Sequence, residues 1–445
     1  MTAFDLGLLS PVTVGFDDAV SDAAILDALV TAEVALVRAR GALGLAEPDL
    51  VARVSDAFGW TGAGSPCRGH AIDAAALAAA SVAGGNPVIP LLSLLTDAAG
   101  ADAQIHRGAT SQDIMDSALM FVAAHAGREV SASLTSTAGA LRGFAAEHRG
   151  EVAAARTLTQ HAVPTTIGLR AANWLRGVQR AVARVDAATE ALPAQLGGAG
   201  GTLASFVELH GPSEAAKLPA AYAAELSLAA PDAPWHTTRW PVTELGDALV
   251  QAIDAVGVIA ADVATLSRTE IAELSEGAGG GSSAMPQKQN PAASVLIRSA
   301  ALRAPQLGAT LHLAAALAVD ERPDGAWHAE WPTLRELLRL ALGATGTAAR
   351  LVSGLQVDAD AVARNLAQTR GLIVAERLSL VLTPIIGKAR VSQIVAHAGR
   401  GGDLAALLHA EPALAGLDID ALLDPAGYTG LAGALVDEAV SGDES

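Results

Sequence analysis

The segment from Thr243 to Ser267 places the strongest constraint on how this chain can fold. Its apolar residues recur every three or four positions with no internal proline, which is the period of one face of an α-helix. They are Leu245, Leu249, Ile253, Val256, Ile259, Val263 and Leu266. A helix of this length needs other long helices to cover its apolar face. The segment therefore predicts a helix bundle.

Three further segments show the same helical period. They run from Asp116 to His148, from Ile167 to Ala191, and from Ala292 onward, where we expect Pro305 to bend the helix without ending it. Strand-like alternation is scarce, and aromatic residues make up only 3% of the chain. The sequence therefore predicts an all-α fold with a central bundle of long helices.

At 445 residues the chain is too long for a single ordinary core. Shorter helical patterns, broken by "GAGSPCRG" and "GGNP", precede the long helical segments, and new helical patterns start after Val357. We predict three domains, which are an N-terminal helical domain over 1–100, a helix bundle over 101–356 and a C-terminal helical domain over 357–445.

The charge and the single cysteine argue against several classes of protein. With 29 Lys and Arg against 47 Asp and Glu, the net charge of −18 does not suit a general nucleic-acid or anionic-membrane surface. We see no export signal and no long uncharged apolar run. Cys67 alone cannot form an intrachain disulfide, so a cytoplasmic protein is expected.

We predict no metal and no cofactor. The histidines are scattered, and no His-x-x-x-His pair or carboxylate cluster has the spacing of metal ligands. The run of glycines is not followed by the Gly-Lys-Ser/Thr sequence that holds nucleotide phosphates.

The segment "EGAGGGSSAMPQKQNP", residues 276–291, is the most polar and glycine-rich stretch between two helical patterns. Its glycines permit a hinged loop, and Pro291 can start the next helix. Ser282, Ser283, Lys288 and Asn290 then lie beside a helix N-terminus, where a carboxylate or phosphate is favoured. The alternative is a surface linker, but Met285 and the following proline are more typical of a segment that docks.

Three other polar segments are individually less specific. In "HRGATSQDIMDSA", His106, Thr110 and Ser111 precede a helix expected near Asp113. Simple capping would explain Thr110 and Ser111, and His106 alone would more often be a structural histidine than a catalyst. "ARTLTQHAVPTT", residues 155–166, is interpreted as the polar start of a helix. "ERPDGAWHAEWPTL", residues 321–334, is typical of an amphipathic helix whose tryptophans pack.

The order of these segments is more specific than any one of them. "GATSQD", "TLTQHAVPTT" and "GSSAMPQKQNP" together resemble the fumarase/aspartase superfamily over nearly the whole chain. Within it, "GAWHAEW" together with "TLTQHAVPTT" is most similar to bacterial 3-carboxy-cis,cis-muconate cycloisomerases, which interconvert that compound and 4-carboxymuconolactone in protocatechuate breakdown. The resemblance implies a three-domain all-α subunit and a homotetramer whose active sites each combine segments of three subunits.

The resemblance also assigns candidate roles to residues of a site for a small tricarboxylate. Ser282 is the first candidate for the group that moves a proton at the carbon next to a carboxylate, and Ser283 is the second. The remaining catalytic candidates are Lys288 and His106. The candidates for substrate binding are Thr110, Ser111, Thr157, Gln160, Asn290, Met285 and Arg298. Arg156, Arg298 and Arg322 are candidate counter-charges, although each could form an ordinary surface ion pair.

One residue departs from the pattern of the related lyases that expel hydroxide, an amine or a purine. Those enzymes usually carry histidine after the first threonine of the second segment, and here that residue is Leu158. Leucine cannot donate a proton, whereas a departing carboxylate, with a parent pKa of roughly 4, needs none. This favours the cycloisomerase over the alternatives, an adenylosuccinate-lyase-like C–N lyase or a catalytically silent scaffold.

Overall fold

A computed structural model describes residues 5–277, 280, 281, 285 and 288–442. The described chain is mostly helical, which confirms the predicted all-α class. Its helices are α1 (Asp22–Ala42), α2 (Pro48–Ala57), α3 (Ala74–Gly84), α4 (Val88–Ala99), α5 (Ser111–Glu147), α6 (Ile167–Glu190), α7 (Ala204–His210), α8 (Pro212–Ala215), α9 (Leu218–Leu226), α10 (Trp240–Leu266), α11 (Ala292–Ala316), α12 (Gly325–Ser353), α13 (Ala359–Ala367), α14 (Ala375–Ile386), α15 (Lys388–Gly399), α16 (Leu404–His409), α17 (Ile419–Leu423) and α18 (Ala432–Ser441).

The long helices are the ones that periodicity predicted. The segments from Asp116, from Ile167, from Thr243 and from Ala292 lie within α5, α6, α10 and α11. Helix α11 continues through Pro305, so this proline does not end it. The apolar stripe of α10 is buried from Leu245 to Leu266, as expected for a helix inside a bundle.

Helix α10 is also long and apolar enough to cross a membrane by length and composition alone, which the sequence reading had not expected. The same property is found in core helices of soluble proteins. In the 18-residue window that meets this test, 44% of the residues are buried inside the protein.

The chain forms two compact units. The first comprises Met1–Leu134, Ala181–Asp254 and Ser299–Thr347, and the second comprises Thr135–Arg180, Ala255–Arg298 and Ala348–Ser445. The three-domain division over 1–100, 101–356 and 357–445 stays a prediction.

A fully buried arginine organises the polar interior of the first unit. The guanidinium of Arg239 donates to Asp116 at 2.8 and 3.0 Å and to Glu330 at 2.6 Å. Trp327 donates from Nε1 to Asp116 at 2.8 Å. Burial raises the pKa of Glu330, while the hydrogen bond and charge of Arg239 oppose this rise. Because removing one partner would leave an uncompensated buried charge, the network fixes how α5 and α12 pack around the segment that leads into α10.

The second unit contains two small antiparallel sheets. Strands β1 (Val152–Thr157) and β2 (Gln160–Thr166) form one, and β3 (Leu274–Ser275) and β4 (Gln356–Val357) form the other. A cluster of buried apolar residues packs Ala154 of β1 against the helices that follow α13, through Ile373, Val374, Leu378 and Leu382.

The hairpin β1–β2 corrects the interpretation of residues 155–166 as the polar start of a helix. Thr157 pairs with Gln160 across a two-residue turn in which Leu158 and Thr159 have φ angles of 48° and 71°. Two left-handed residues suit the twist of a tight hairpin, but glycine or asparagine normally occupies them. Leucine and threonine gave no such signal, although the β-branched residues of both strands favour extended structure. Helix α6 starts only after the hairpin.

Candidate active site

His106 lies in the loop before α5 and forms a pair with a buried carboxylate. Its Nδ1 is 2.7 Å from Oε1 of Glu33, a residue of α1 with no exposed side-chain surface. Burial lowers the pKa of His106, but the charge and hydrogen bond of Glu33 and the charge of Asp113 outweigh it, so the net pKa is raised. The imidazole therefore holds its proton to higher pH than a free histidine.

The start of α5 brings three polar groups together. Thr110 precedes Ser111, the first residue of the helix, and its hydroxyl accepts a hydrogen bond from Arg322. The same guanidinium donates to the carbonyl of Ala199 at 3.4 Å, and its Nε is buried with no hydrogen-bond partner among the described residues. A helix N-terminus beside an incompletely satisfied arginine is suited to bind a carboxylate.

Asp113 provides the cap that simple sequence reasoning assigned to the Thr-Ser pair. Its carboxylate is completely buried and accepts from the backbone N–H of Thr110 at 3.0 Å, which is one half of a capping box. It also accepts from the N–H groups of Gly197 and Gly198, each at 2.9 Å, and lies 2.8 Å from Nε2 of His236. The hydroxyl of Thr110 is consequently free to contact Arg322 rather than the helix.

Ser282 and Ser283 lie outside the described residues. The described part of their segment is held at its base, because Gly280 and Asn290 exchange two backbone hydrogen bonds of 2.9 and 2.8 Å. Lys288 and Met285 are exposed, and the N–H of Lys288 donates to the carbonyl of Met285 at 3.0 Å. Asn290 also lines a cavity of about 280 Å³ together with Glu276, Gln289 and neighbouring residues.

The N-terminus of α11 does hold a carboxylate, but that carboxylate belongs to Glu276. Its two oxygens accept from the N–H groups of Ala293 and Ser294 at 3.1 and 2.8 Å. We had expected a carboxylate or phosphate ligand to be favoured here, and that expectation is wrong for these two N–H groups. Glu276 instead ties the start of the glycine segment to the helix that follows it.

The hairpin presents its polar candidates at the tip. Thr157 and Gln160 are exposed and paired, and the amide nitrogen of Gln160 lies 3.4 and 3.5 Å from two oxygens of Thr159. The side chain of Leu158 is 95% exposed between them. The tip therefore carries groups that could bind a ligand but, at the position of the usual histidine, no proton donor.

Two residues at the base of the hairpin have other partners. Arg156 forms a two-point ion pair with buried Glu273, at 2.5 and 3.0 Å. Of the two roles that the sequence allowed for Arg156, substrate counter-charge or ordinary ion pair, the structure shows the ion pair. Burial, followed by the charge of Arg156, lowers the pKa of His161, so this histidine is neutral near neutral pH. A neutral imidazole does not replace the proton donor missing at Leu158.

The described structure gathers the candidates into local groups. In the first unit, His106, Thr110 and Ser111 occupy one loop and one helix start, with Arg322. In the second unit, Thr157 pairs with Gln160, whereas Arg298 is exposed on α11. No group of three or more His, Cys, Asp or Glu within the described ranges could hold a metal ion.

Sequence reasoning missed the carboxylates that organise these groups. Glu33, Asp113, Glu273 and Glu276 are all buried, and each contacts a candidate residue or its immediate support. One signal was available for Glu33, because it is the only charged residue in the apolar run "LVTAEVALV". A lone charge in a buried stretch usually has a specific partner.

The comparisons with known proteins agree with this architecture. Residues 81–305 match the family model described as Lyase, and the chain belongs to this lyase family of the fumarase/aspartase superfamily. It is 46% identical to the nitrosuccinate lyase of Streptomyces davaonensis, over 99% of this chain and 95% of that protein. It is 38% identical to the 3-carboxy-cis,cis-muconate cycloisomerase of Pseudomonas aeruginosa, over 95% of this chain and 92% of that protein.

A solved structure of a relative covers the same length. The crystal structure of 3-carboxy-cis,cis-muconate lactonizing enzyme from Pseudomonas putida superposes with a TM-score of 0.88 at 34% identity, covering 98% of each chain. That enzyme thus shares the fold over 98% of its chain, and the relatives matched by sequence carry names for two different reactions.

Proposed function

We propose that this protein is a lyase that removes a proton next to a carboxylate and expels a weakly basic anion, with nitrosuccinate as its substrate and nitrite as the leaving group. The observation that carries this proposal is Leu158, exposed at the hairpin tip where related lyases place an acid. An enzyme without that acid is limited to leaving groups that depart without a proton.

The absence of an acid at Leu158 defines a class of reaction and not one substrate. A carboxylic acid has a pKa of roughly 4, and nitrous acid is stronger still, so carboxylate and nitrite both depart as stable anions. An amine or hydroxide gains about 10²–10⁴-fold from a general acid. Release of nitrite therefore needs no acid at position 158, just as lactone chemistry needs none.

The degree of similarity to the relatives supports this order of the two candidates. The relative named as a nitrosuccinate lyase is 46% identical over nearly the full length of both chains, compared with 38% for the cycloisomerase of Pseudomonas aeruginosa. In the proposed reaction a serine alkoxide takes the proton from C3 of nitrosuccinate. The C–H electron pair forms the C2–C3 double bond, the C2–N pair leaves with nitrite, and fumarate remains.

The proposed active-site residues have two roles, which are to act as the base and to bind the substrate. Ser282 is the proposed base, with Ser283 as the alternative, and Lys288 supplies positive charge that favours the alkoxide. Thr110 and Ser111, supported by Arg322, bind one substrate carboxylate at the start of α5. Gln160 and Asn290 orient the rest of the substrate. In this proposal the enzyme is a cytoplasmic homotetramer whose active sites combine segments of three subunits.

Lactonisation of 3-carboxy-cis,cis-muconate is the second candidate. Solved structures of enzymes with that activity in their names match at 34% identity with a TM-score of 0.88 and at 29% with 0.85. The same serine would exchange the proton next to a carboxylate, and the internal carboxylate would add or depart without a proton donor.

One set of assays separates the candidates. Purified protein is given 2-nitrosuccinate, and nitrite is measured by diazo coupling while fumarate is measured by its ultraviolet absorbance. We expect equimolar nitrite and fumarate. Loss of carboxymuconate absorbance without nitrite release would instead establish the cycloisomerase. Rapid cleavage of adenylosuccinate would contradict the leaving-group argument, and inactivity towards all three would favour a silent scaffold.

A further inference from the structure

The proposed function gives Glu33 no role and does not say what the pair of Glu33 and His106 does. Glu33 comes from the middle of α1, seventy-three positions before His106, and none of its side chain is exposed. Its Oε1 is 2.7 Å from Nδ1 of His106, and its Oε2 is buried without a hydrogen-bond partner among the described residues. The imidazole is therefore the only group that the structure shows bound to this carboxylate.

The backbone places this pair next to the carboxylate site. His106 has a φ of 60°, and its carbonyl accepts from the N–H of Ala109 at 3.1 Å, which closes a tight turn directly before Thr110. With Nδ1 on Glu33, the nitrogen left for a ligand is Nε2. A histidine in a left-handed turn is costly, and such strain is retained where a side chain must be presented in one direction.

We propose that His106 binds a substrate carboxylate as an imidazolium, and that Glu33 is a positioning residue that keeps it charged and correctly oriented. This inference rests on the proposed function, because it concerns the same dicarboxylate. Nδ1–H donates to Glu33, which fixes the ring, and Nε2–H donates to the ligand. The ligand carboxylate then has a charged hydrogen bond in addition to those from the start of α5.

The other groups around the pair agree with this assignment. Asp113 of α5 adds negative charge near His106, and the raised pKa of the imidazole reflects Glu33 and Asp113 acting against burial. Tyr222 of α9 lies near Glu33 and Asp113, but burial raises the pKa of its hydroxyl strongly, so it stays neutral. Arg107 in the same loop is exposed to solvent, where its charge is screened.

The sign of the pH dependence follows from the raised pKa. Below the folded-state pKa of His106 the imidazolium is present and the ligand is bound most tightly. As the pH rises through that value the charge is lost, and binding weakens. Replacing Glu33 with glutamine removes the attractive charge, so burial then lowers the pKa and the weakening begins at lower pH.

The test uses fumarate as the ligand, so that it does not depend on turnover. Histidine resonances of the full-length protein are titrated by two-bond ¹H–¹⁵N NMR, with His106 assigned by its loss in His106→Asn. We expect the titration of His106 to move to lower pH in Glu33→Gln, and the dissociation constant for fumarate near neutral pH to rise about tenfold. Glu33→Asp, which keeps the charge, should recover part of the affinity.

A second histidine pair provides a matched control. His148 and Glu151 are 2.6 Å apart, and the His148 side chain is 17% exposed, as is that of His106. Glu151→Gln should leave both the His106 titration and fumarate binding unchanged. In kinetic assays, Glu33→Gln should raise KM and leave kcat within about twofold.

Several results would overturn the inference. An unchanged His106 titration in Glu33→Gln would remove the positioning role, and unchanged fumarate affinity would remove the ligand role. If fumarate binds and responds as expected while nitrosuccinate and carboxymuconate are inert, the inference stands and only the proposed reaction fails.

Discussion

The N-termini of α5 and α11 present the same backbone chemistry and use it differently. At α11 the free N–H groups of Ala293 and Ser294 are taken by the chain's own Glu276. At α5 the first carboxylate inside the helix, Asp113, faces back to Thr110 and to two glycines. Arg322 lies at the helix start, and its buried Nε has no hydrogen-bond partner in the described part of the chain. A helix N-terminus thus predicts that an anion binds there, but not whether the anion is a side chain of the protein or a ligand.

The largest effect is expected in the glycine-rich segment 276–291, which begins at Glu276. Ser282→Ala removes the proposed base, and turnover should fall by about 10³-fold or more while the oligomer and fold are retained. Steady-state kinetics, size-exclusion chromatography and circular dichroism measure this. Ser283→Ala is the neighbouring control, and if it has the larger effect, the base is Ser283.

The next largest effect is expected at the N-terminus of α5, where we propose that a substrate carboxylate binds. Arg322→Met keeps much of the side-chain bulk and removes the charge at α5, so KM should rise about 10- to 100-fold with a smaller change in kcat. Arg298→Met, an exposed arginine on α11, is the matched comparison. Equal effects of the two variants would mean that Arg322 has no special place in binding.

At the N-terminus of α11, where Glu276 binds, a substitution should lower the stability of the fold and leave substrate binding nearly unchanged. Glu276→Gln keeps one acceptor oxygen but loses the charge at the N-terminus of α11, which should lower the free energy of unfolding by about 1 kcal/mol. Urea denaturation measures the loss, and KM should stay within about twofold. A large rise in KM with normal stability would show that the ligand contacts Glu276.

The smallest expected effect concerns the hairpin tip. Leu158→His restores the residue type of other lyases at a position that is already 95% exposed, and the rate of nitrite or carboxylate release should change by less than about threefold. A large increase in rate would mean that the leaving group does need a proton.

Local patterns were sufficient to predict the helices but not the partners within the site. Periodicity predicted α5, α6, α10 and α11, and the apolar stripe of α10 is buried as expected, whereas α5 is buried on every side from Gln112 to Ala124. The hairpin was missed because Leu158 and Thr159 adopt left-handed angles without glycine or asparagine. The contact of Arg322 with Thr110 joins residues 212 positions apart, and no local pattern encodes such a distance.

The signature serines were predicted from resemblance alone, and their assignment remains a prediction. The buried carboxylates could not have been assigned from sequence, because an isolated Glu or Asp gives no sign of which N–H group or imidazole it faces. Glu276 illustrates this limit, since its oxygens bind a helix that starts sixteen residues later.

The four hydrogen-bond partners of Asp113 limit which residues can occupy the start of α5. Within the described ranges, the partners of its two oxygens are N–H groups of Thr110, Gly197, Gly198 and His236. Asparagine has the same shape as aspartate, but its amide NH2 group would face N–H donors. Asp113→Asn would therefore replace hydrogen bonds with contacts between two donors. In a library of variants, position 113 should accept almost no substitute, while 110 and 111 should tolerate changes that reshape which acids the enzyme accepts.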